Sequence, residues 1–404
     1  GSPANTQRPL TRERQQFSSH AAISPKQAKL AHDKQSSCAC VGLFIAGCTG
    51  VQLHQRWARA KWVPLSRRCS TSRGGSAVSC RASSTAQSFT CGYAEVQIGG
   101  RPASVWLPVD AEDSDQEQQK TYSFIFSWRK LPQYLLGISI GGDDETVELP
   151  TAPGVLALAA QDLDSSPQRG GCRGGVVIAH GLLCSRLDFA HLAERLCQEG
   201  FLVISPEFDD SVSHEEGVVS GGFIGALSER KPSEQRRVDV VEEAMAWLKD
   251  RGAGDNIAMI GHSRGGVTVS QLDGRFCRVN IAGFLPPPTP ASDGFHPSAS
   301  SAPMLVVCGQ EDEVCARPPL SLDYVQQVVE EFIPQAEEWY PEDIGHLTVL
   351  DPRVRERWAL NLGLFGGLAR PPLSDTFDQE FVERITTFVK TSLPIAKEVA
   401  AKSR

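Results

Sequence analysis

The body of the chain lacks paired cysteines at metal-ligand spacing. Cys172, Cys184, Cys197, Cys277, Cys308 and Cys315 form no Cys-x-x-Cys and share no ligand spacing with histidine. This argues against a structural zinc site, and so large a body does not need a disulfide framework; small buried hydrophobes or free thiols are expected. Phosphate-cradling glycine motifs are missing too. There is no Walker loop and no Gly-x-Gly-x-x-Gly after a strand, so no nucleotide cofactor is expected, and no metal. Basic residues interleaved with aromatics are absent from the body, which speaks against a nucleic-acid partner. Long apolar runs are scarce: residues 38–51, CACVGLFIAGCTGV, give about 14, short of the roughly 20 that a membrane-spanning helix needs. No internal repeat is visible.

Acidic residues are nearly missing from one region. Residues 1–94 carry thirteen Lys or Arg against Glu13 and Asp33, while the whole chain of 404 residues has net charge −8, leaving −19 on the remainder. Residues 1–91 are also rich in serine and small residues, as in CSTSRGGSAVSCRASSTAQS. That composition is expected of a largely disordered targeting leader. Val78-Ser79-Cys80 before Arg81-Ala82 is similar to a plastid processing site, and with the 38–51 run upstream the leader resembles the two-part signals of plastids of secondary origin. The chain opens on Gly-Ser without methionine, as expected where the natural start is missing or replaced. A biased, untargeted N-terminus is the alternative.

The body, 92–404, has a different rhythm. AEVQIGG and ASVWLPV read as strands around a Gly-Gly-Arg-Pro turn, and YSFIFSW as a third strand or a packed excursion. GGVVIAHG, FLVISPEF, NIAMIGHS, CRVNIAGF and APMLVVCG read as strands buried on both faces. Between them LDFAHLAERLCQEG and SEQRRVDVVEEAMAWLKDRG have helical spacing, and FDQEFVERITTFVKTSL closes the chain as a helix. Strands alternating with helices predict an α/β fold with a mostly parallel sheet covered on both faces.

Gly261-His262-Ser263-Arg264-Gly265-Gly266 falls between the strand NIAMI and the following helix. Gly-x-Ser-x-Gly at such a junction is a nucleophile elbow, where Gly261 and Gly265 relieve the collision of a sharp turn and Ser263 projects above the sheet. A serine nucleophile needs a base and an orienting acid, in chain order Ser, acid, His. Asp312 follows the strand MLVV in a loop, with Glu311 and Glu313 as rivals, and His346 is the sole histidine after it. His296 lies in a Pro/Ser-rich loop and reads as solvated; His262 reads as packing or pointing away. His180-Gly181 ends an earlier strand, so the backbone N–H groups of Leu182 and Arg264 are the expected oxyanion donors.

On these residues the body resembles the α/β-hydrolase superfamily. Gly261 to Gly266, with Arg after the serine, and HGLLCSRLDFAHLAERLCQEGFLVISPEF resemble chlorophyllases. This implies a serine carboxylic-ester hydrolase that cleaves chlorophyll to chlorophyllide and phytol, in agreement with a plastid leader. HGLLCSR and GFLVISPEFDDS are also similar to platelet-activating-factor acetylhydrolases and dienelactone-hydrolase-like esterases, which implies a lipid esterase or general carboxylesterase instead. Arg264 could equally serve as an ion-pair partner under the sheet. Either substrate is amphiphilic, so peripheral membrane association is expected, and residues 211–233 could form a lid. A non-catalytic pigment or lipid binder is the alternative from another class, although it has no need of Ser263, Asp312 and His346 together.

Overall fold

Two strands rich in alternating small and apolar residues, β1 (Thr90–Ile98) and β2 (Arg101–Val109), pair antiparallel around the Gly99-Gly100 turn, where φ is 57° and 76°. Only glycine adopts such successive left-handed conformations without strain. In this computed structural model the described residues are 89–393, apart from 110–117, 128–129, 131–143, 160–162, 164–171, 214–229, 273–275, 284–301, 313, 315–320, 362–370 and 373. The side chains of 230–234, 332 and 357–361 also lie outside the description. The chain divides into two units, Gly1–Arg81 and Ala82–Arg404, and all described residues belong to the second. The leader, its processing site and the 38–51 run therefore lie outside the described residues. β1 begins before residue 92, and Cys91, counted above with the leader, is a core residue only 1% exposed.

The remaining elements follow in order. β3 (Thr121–Ser127) and β4 (Asp144–Pro150) form a separate antiparallel ribbon, so the YSFIFS part of that run is a strand but not one of the main sheet. β5 (Leu156–Ala157) is short. Then come β6 (Gly174–Ala179), α1 (Ala190–Gln198), β7 (Phe201–Pro206), α2 (Arg230–Leu248), β8 (Ile257–His262), α3 (Arg264–Gln271) and β9 (Cys277–Ile281). β10 (Met304–Val307), α4 (Leu322–Phe332), β11 (Glu337–Trp339), α5 (Pro352–Asn361) and α6 (Phe377–Ser392) complete the chain. The sequence pattern placed the start of α2 at 233. It starts at Arg230, because Pro232 is tolerated in a first helical turn.

The main sheet has the order β11-β10-β9-β8-β6-β7-β2-β1-β5. The pairs from β7 through β11 are parallel, β2 runs antiparallel to β7, and β1 to β2. A hairpin at one end, with β6 inserted between β7 and β8, is the α/β-hydrolase arrangement. The chain winds outward from β6 in both directions, so loops leaving β6 and β8 meet at the carboxyl edge, where such sheets place their sites.

Both sheet faces are apolar, as the unbroken runs predicted. Val176, Ile178, Ala258 and Ile260 enter one core with α1 and α6, whereas Val177, Ala179, Ile257 and Met259 enter the other with α2 and α3. Successive residues of one strand thus supply both layers. Trimming Ile260, which has no exposed surface, to alanine costs about 2–5 kcal/mol by loss of burial and a residual cavity. The ribbon docks through Trp106, whose Nε1 donates to Tyr122 Oη at 3.0 Å, and Tyr122 donates on to Glu194 at 2.7 Å. Among the described residues no helix is long and apolar enough to cross a membrane.

Candidate active site

β8 ends at His262, and Ser263 follows with φ 52° and ψ −118° before α3 begins at Arg264. A non-glycine residue held there is strained, and such strain persists only where the surroundings enforce it. The enforcement is visible at the flanking glycines. A Cβ on Gly261 would lie 2.2 Å from the carbonyl oxygen of Gly265, and one on Gly265 would lie 2.0 Å from that of Ala179. No side chain fits at either position, so the strand, turn and helix close on one another and lift Ser263 out of the sheet.

Three side chains from three loops then converge. His346 Nε2 lies 2.9 Å from Ser263 Oγ, and His346 Nδ1 lies 2.9 and 3.1 Å from the two Asp312 oxygens. Asp312 is buried at 1% exposure and His346 at 6%. Val314 N–H donates to Asp312 Oδ1 at 2.9 Å, helping to fix the carboxylate. Of its rivals, Glu311 is exposed and donates its own N–H to Ile344, whereas Glu313 and His296 lie outside the described residues.

The acid and base loops are laced together by main chain. Cys308 N–H donates to Trp339, Gln310 to Pro341 and Glu311 to Ile344, at 3.0–3.1 Å. Gly309 permits this approach: a Cβ there would stand 2.1 Å from the Ile344 oxygen. His262, whose role the sequence pattern left at packing or pointing away, is a working part of the site. Its Nε2 donates to the His346 carbonyl at 3.0 Å, and its ring centroid is 5.1 Å from that of His346. Burial, reinforced by the neighbouring His346, pulls its pKa down to about 3, so the ring is neutral.

On the opposite side stands the loop leaving β6. Gly181 abuts the elbow, since a Cβ there would meet His262 Nδ1 at 3.0 Å and Ser263 Cβ at 3.2 Å. Leu182 follows it, and its N–H makes no hydrogen bond among the described residues. Leu183, at φ 57°, instead donates its N–H to the Asp210 carbonyl at 3.1 Å. Arg264 is the first residue of α3, where N–H groups have no intrahelical acceptor and the helix dipole is positive. The segments that carry Leu182 and Arg264 leave paired strands in register at Ala179 and Gly261, and Gly181 brings the first of them against Ser263.

The Arg264 side chain has another employment. Its Nη1 donates to Asp210 Oδ2 at 2.6 Å, so it is an ion-pair partner. Asp210 also receives Arg237, which is 3% exposed and whose other nitrogens reach the His180 carbonyl and Thr268 Oγ1. Next to this lies a second buried ionic group. Arg186 donates to Glu207 at 3.0 Å and Glu95 at 2.7 Å, and Glu207 faces His180 Nε2 at 3.1 Å. Burial pushes Glu207 up, but His180 and Arg186 outweigh it and hold the carboxyl well below the usual range. Asp188 goes the other way. It rises to about 6 because burial outweighs the opposing charge of His180 and the hydrogen bonds from Ser185 and Cys184.

Residues 214–229, the centre of the expected lid, lie outside the described residues. At the ends of the 211–233 segment, Ser211 to Ser213 are buried, with Ser211 Oγ 2.9 Å from Ser213 Oγ, and 230–233 belong to α2. Cys184 and Cys197 are buried and free, and Cys315 lies outside the described residues. Among the described residues no three His, Cys, Asp or Glu side chains gather as metal ligands.

No family model matches the sequence, and neither does any curated protein. Several solved structures are similar to this chain. A ferulic acid esterase from Streptomyces cinnamoneus is 16% identical, with 78% of this chain and 92% of that chain covered at a TM-score of 0.43. An α/β hydrolase from a Medee basin deep-sea metagenome is 16% identical, with coverage of 76% and 99% and a TM-score of 0.41. A dienelactone hydrolase-like promiscuous phosphotriesterase from metagenomic libraries is 18% identical, covering 68% and 99% at 0.40.

Proposed function

We propose that this chain is a serine carboxylic-ester hydrolase working through an acyl-enzyme. The observation that carries the reading is the continuous chain Ser263 Oγ, His346 Nε2, His346 Nδ1, Asp312, with links of 2.9 Å on both sides of the imidazole. Those are distances at which proton transfer proceeds without rearrangement. Ser263 attacks the ester carbonyl while His346 takes its proton, and Asp312 holds the imidazolium that forms. The oxygen that becomes negative is received by the N–H groups of Leu182 and Arg264, which a fixed backbone presents without reorganisation. His346 then returns the proton to the departing alcohol. Water repeats the sequence on the acyl-enzyme, releasing the acid and restoring Ser263.

The substrate is an amphiphilic ester, and chlorophyll is the first to test. That choice rests on the likeness of 180–208 and 261–266 to chlorophyllases and on the composition of the leader, which also leads us to place the protein in a plastid with peripheral membrane contact. Arg264 supports it less than its position suggests, since its guanidinium is held by Asp210. The second reading, a lipid or general esterase, is favoured by Asp209 and Asp210 in the segment after β7. The test is incubation of the protein with chlorophyll a in detergent, with chromatographic separation of chlorophyllide and Ser263→Ala as control. Chlorophyllide from the intact serine alone supports the first reading. Cleavage of short p-nitrophenyl esters without chlorophyllide moves the assignment to the second, and absence of both sinks ester hydrolysis.

A further inference from the structure

We infer that Asp210 and the Arg264 guanidinium form a clasp that sets the spacing of the oxyanion donors, which makes both side chains positioning residues. The inference rests on the acyl-transfer reading above. The two donors come from separate loops: Leu182 follows β6 and Arg264 opens α3. Pairing of β6 with β8 aligns the strands, but the register ends at Ala179 and Gly261, so it does not reach Leu182. Asp210 bridges the remaining gap. Its main-chain oxygen accepts from Leu183 N–H at 3.1 Å, one residue from the first donor, and its Oδ2 accepts from Arg264 at 2.6 Å, the residue bearing the second. Its Oδ1 accepts from Arg237, which also donates to the carbonyl of His180 and to Thr268 Oγ1 on α3.

Arg237 therefore repeats the bridge one layer deeper, joining the end of β6 to the same helix. Asp210 and Arg237 are 4% and 3% exposed, and the Arg237 guanidinium lies 3.8 Å from the Phe208 ring centroid. A paired charge shielded this way holds one geometry, because breaking it would leave its partner buried and alone. Small displacements of a preorganised donor act on the developing negative charge, not on the bound ester. The clasp should therefore govern kcat and leave KM nearly alone.

The experiment uses the whole protein, with p-nitrophenyl butyrate as substrate and a trifluoromethyl ketone as the probe that places an oxyanion between the donors. Arg264→Met keeps the backbone N–H and the Arg237–Asp210 pair, so it tests the clasp without stripping the core. It should lower kcat by about 10- to 100-fold, short of the ~10²–10³ typical of deleting a donor outright. Ketone affinity should fall in parallel, KM should stay within about threefold, and Arg264→Lys should recover part of the loss. Asp210→Asn should be at least as damaging as Arg264→Met. Arg264→Met with unaltered kcat and ketone affinity would overturn the clasp, as would a loss confined to KM, which would put the guanidinium on the substrate. If the unmodified protein neither cleaves the ester nor binds the ketone, the acyl-transfer reading itself falls and takes the clasp with it.

Discussion

The two flanks of Ser263 are built from different materials. On the base side, the loops bearing Asp312 and His346 are laced through main-chain hydrogen bonds, with one neutral histidine, His262, holding the His346 carbonyl. On the oxyanion side, buried charges do the holding: Arg186 with Glu207, and Arg237 and Arg264 with Asp210. The difference follows from what each flank must do. In the proposed reaction the imidazole gains and loses a proton in every cycle, and a neutral frame around the single Asp312 charge would keep both states accessible. The proposed oxyanion donors would stabilise charge only by staying still, and buried ion pairs supply rigidity at the cost of desolvation. One flank is arranged for exchange and the other for immobility.

The largest effect available is at the shared atom. Ser263→Ala should reduce kcat by roughly 10⁵–10⁶, since a triad acts as a unit and loss of its nucleophile removes nearly all of its contribution. Steady-state rates on a short ester, corrected for background hydrolysis, check this. Next comes the base side: Asp312→Asn should lower kcat by about 10⁴, because an amide cannot stabilise the imidazolium and selects the wrong tautomer. That loss should exceed the one expected from the clasp, and an equal loss would blur the contrast between flanks.

Two buried groups, one on each flank, should give pH slopes of opposite sign. His262 titrates near 3 in the fold against an ordinary value near 6.5, so the unfolded chain takes up the proton first. Its contribution to stability is present above pH 6.5 and is lost as pH falls toward 3, at about 1.4 kcal/mol per unit. Asp188 titrates near 6 in the fold against 3.8, so its contribution is present below 3.8 and is lost as pH rises through 6. Urea unfolding between pH 4 and 7 should show His262→Phe losing the first slope and Asp188→Asn the second. Variants whose slopes match the parent protein would sink the burial assignments. The smallest effect belongs to the periphery: Arg384→Ala, which removes an ion pair with Glu337 in which both side chains are over a third exposed and a contact with the Trp339 ring, should lower the unfolding free energy measured in urea by no more than about 1 kcal/mol.

Much of the base side and the elbow was legible in the sequence, because it is written locally. Gly261 and Gly265 announce a turn that admits no Cβ, the apolar runs before and after define strand and helix, and chain order leaves one histidine after the acid. The α/β class with a mostly parallel sheet followed from the same alternation of runs, and the α/β-hydrolase expectation from the resemblance of the elbow and the 180–208 segment. The clasp was not legible. Asp210 and Arg237 lie 27 residues apart, and Arg237 and Thr268 31. In an amphipathic helix an arginine reads as solvated until the fold buries it. The segment PEFDDS did carry a signal, three carboxylates just past a buried strand at the carboxyl edge, but nothing local says that Glu207 and Asp210 turn inward and Asp209 does not. β4 hid for another reason: Val147 and Leu149 alternate with polar neighbours as a strand should, yet the run around them is acidic enough to look solvated.

Covalent labelling with a fluorophosphonate, followed by peptide mapping, tests the central claim most directly. It asks whether Ser263 is an activated nucleophile without presuming any substrate. The account predicts stoichiometric labelling on Ser263, lost in His346→Ala although the serine remains. No label, or label on another residue, would contradict it.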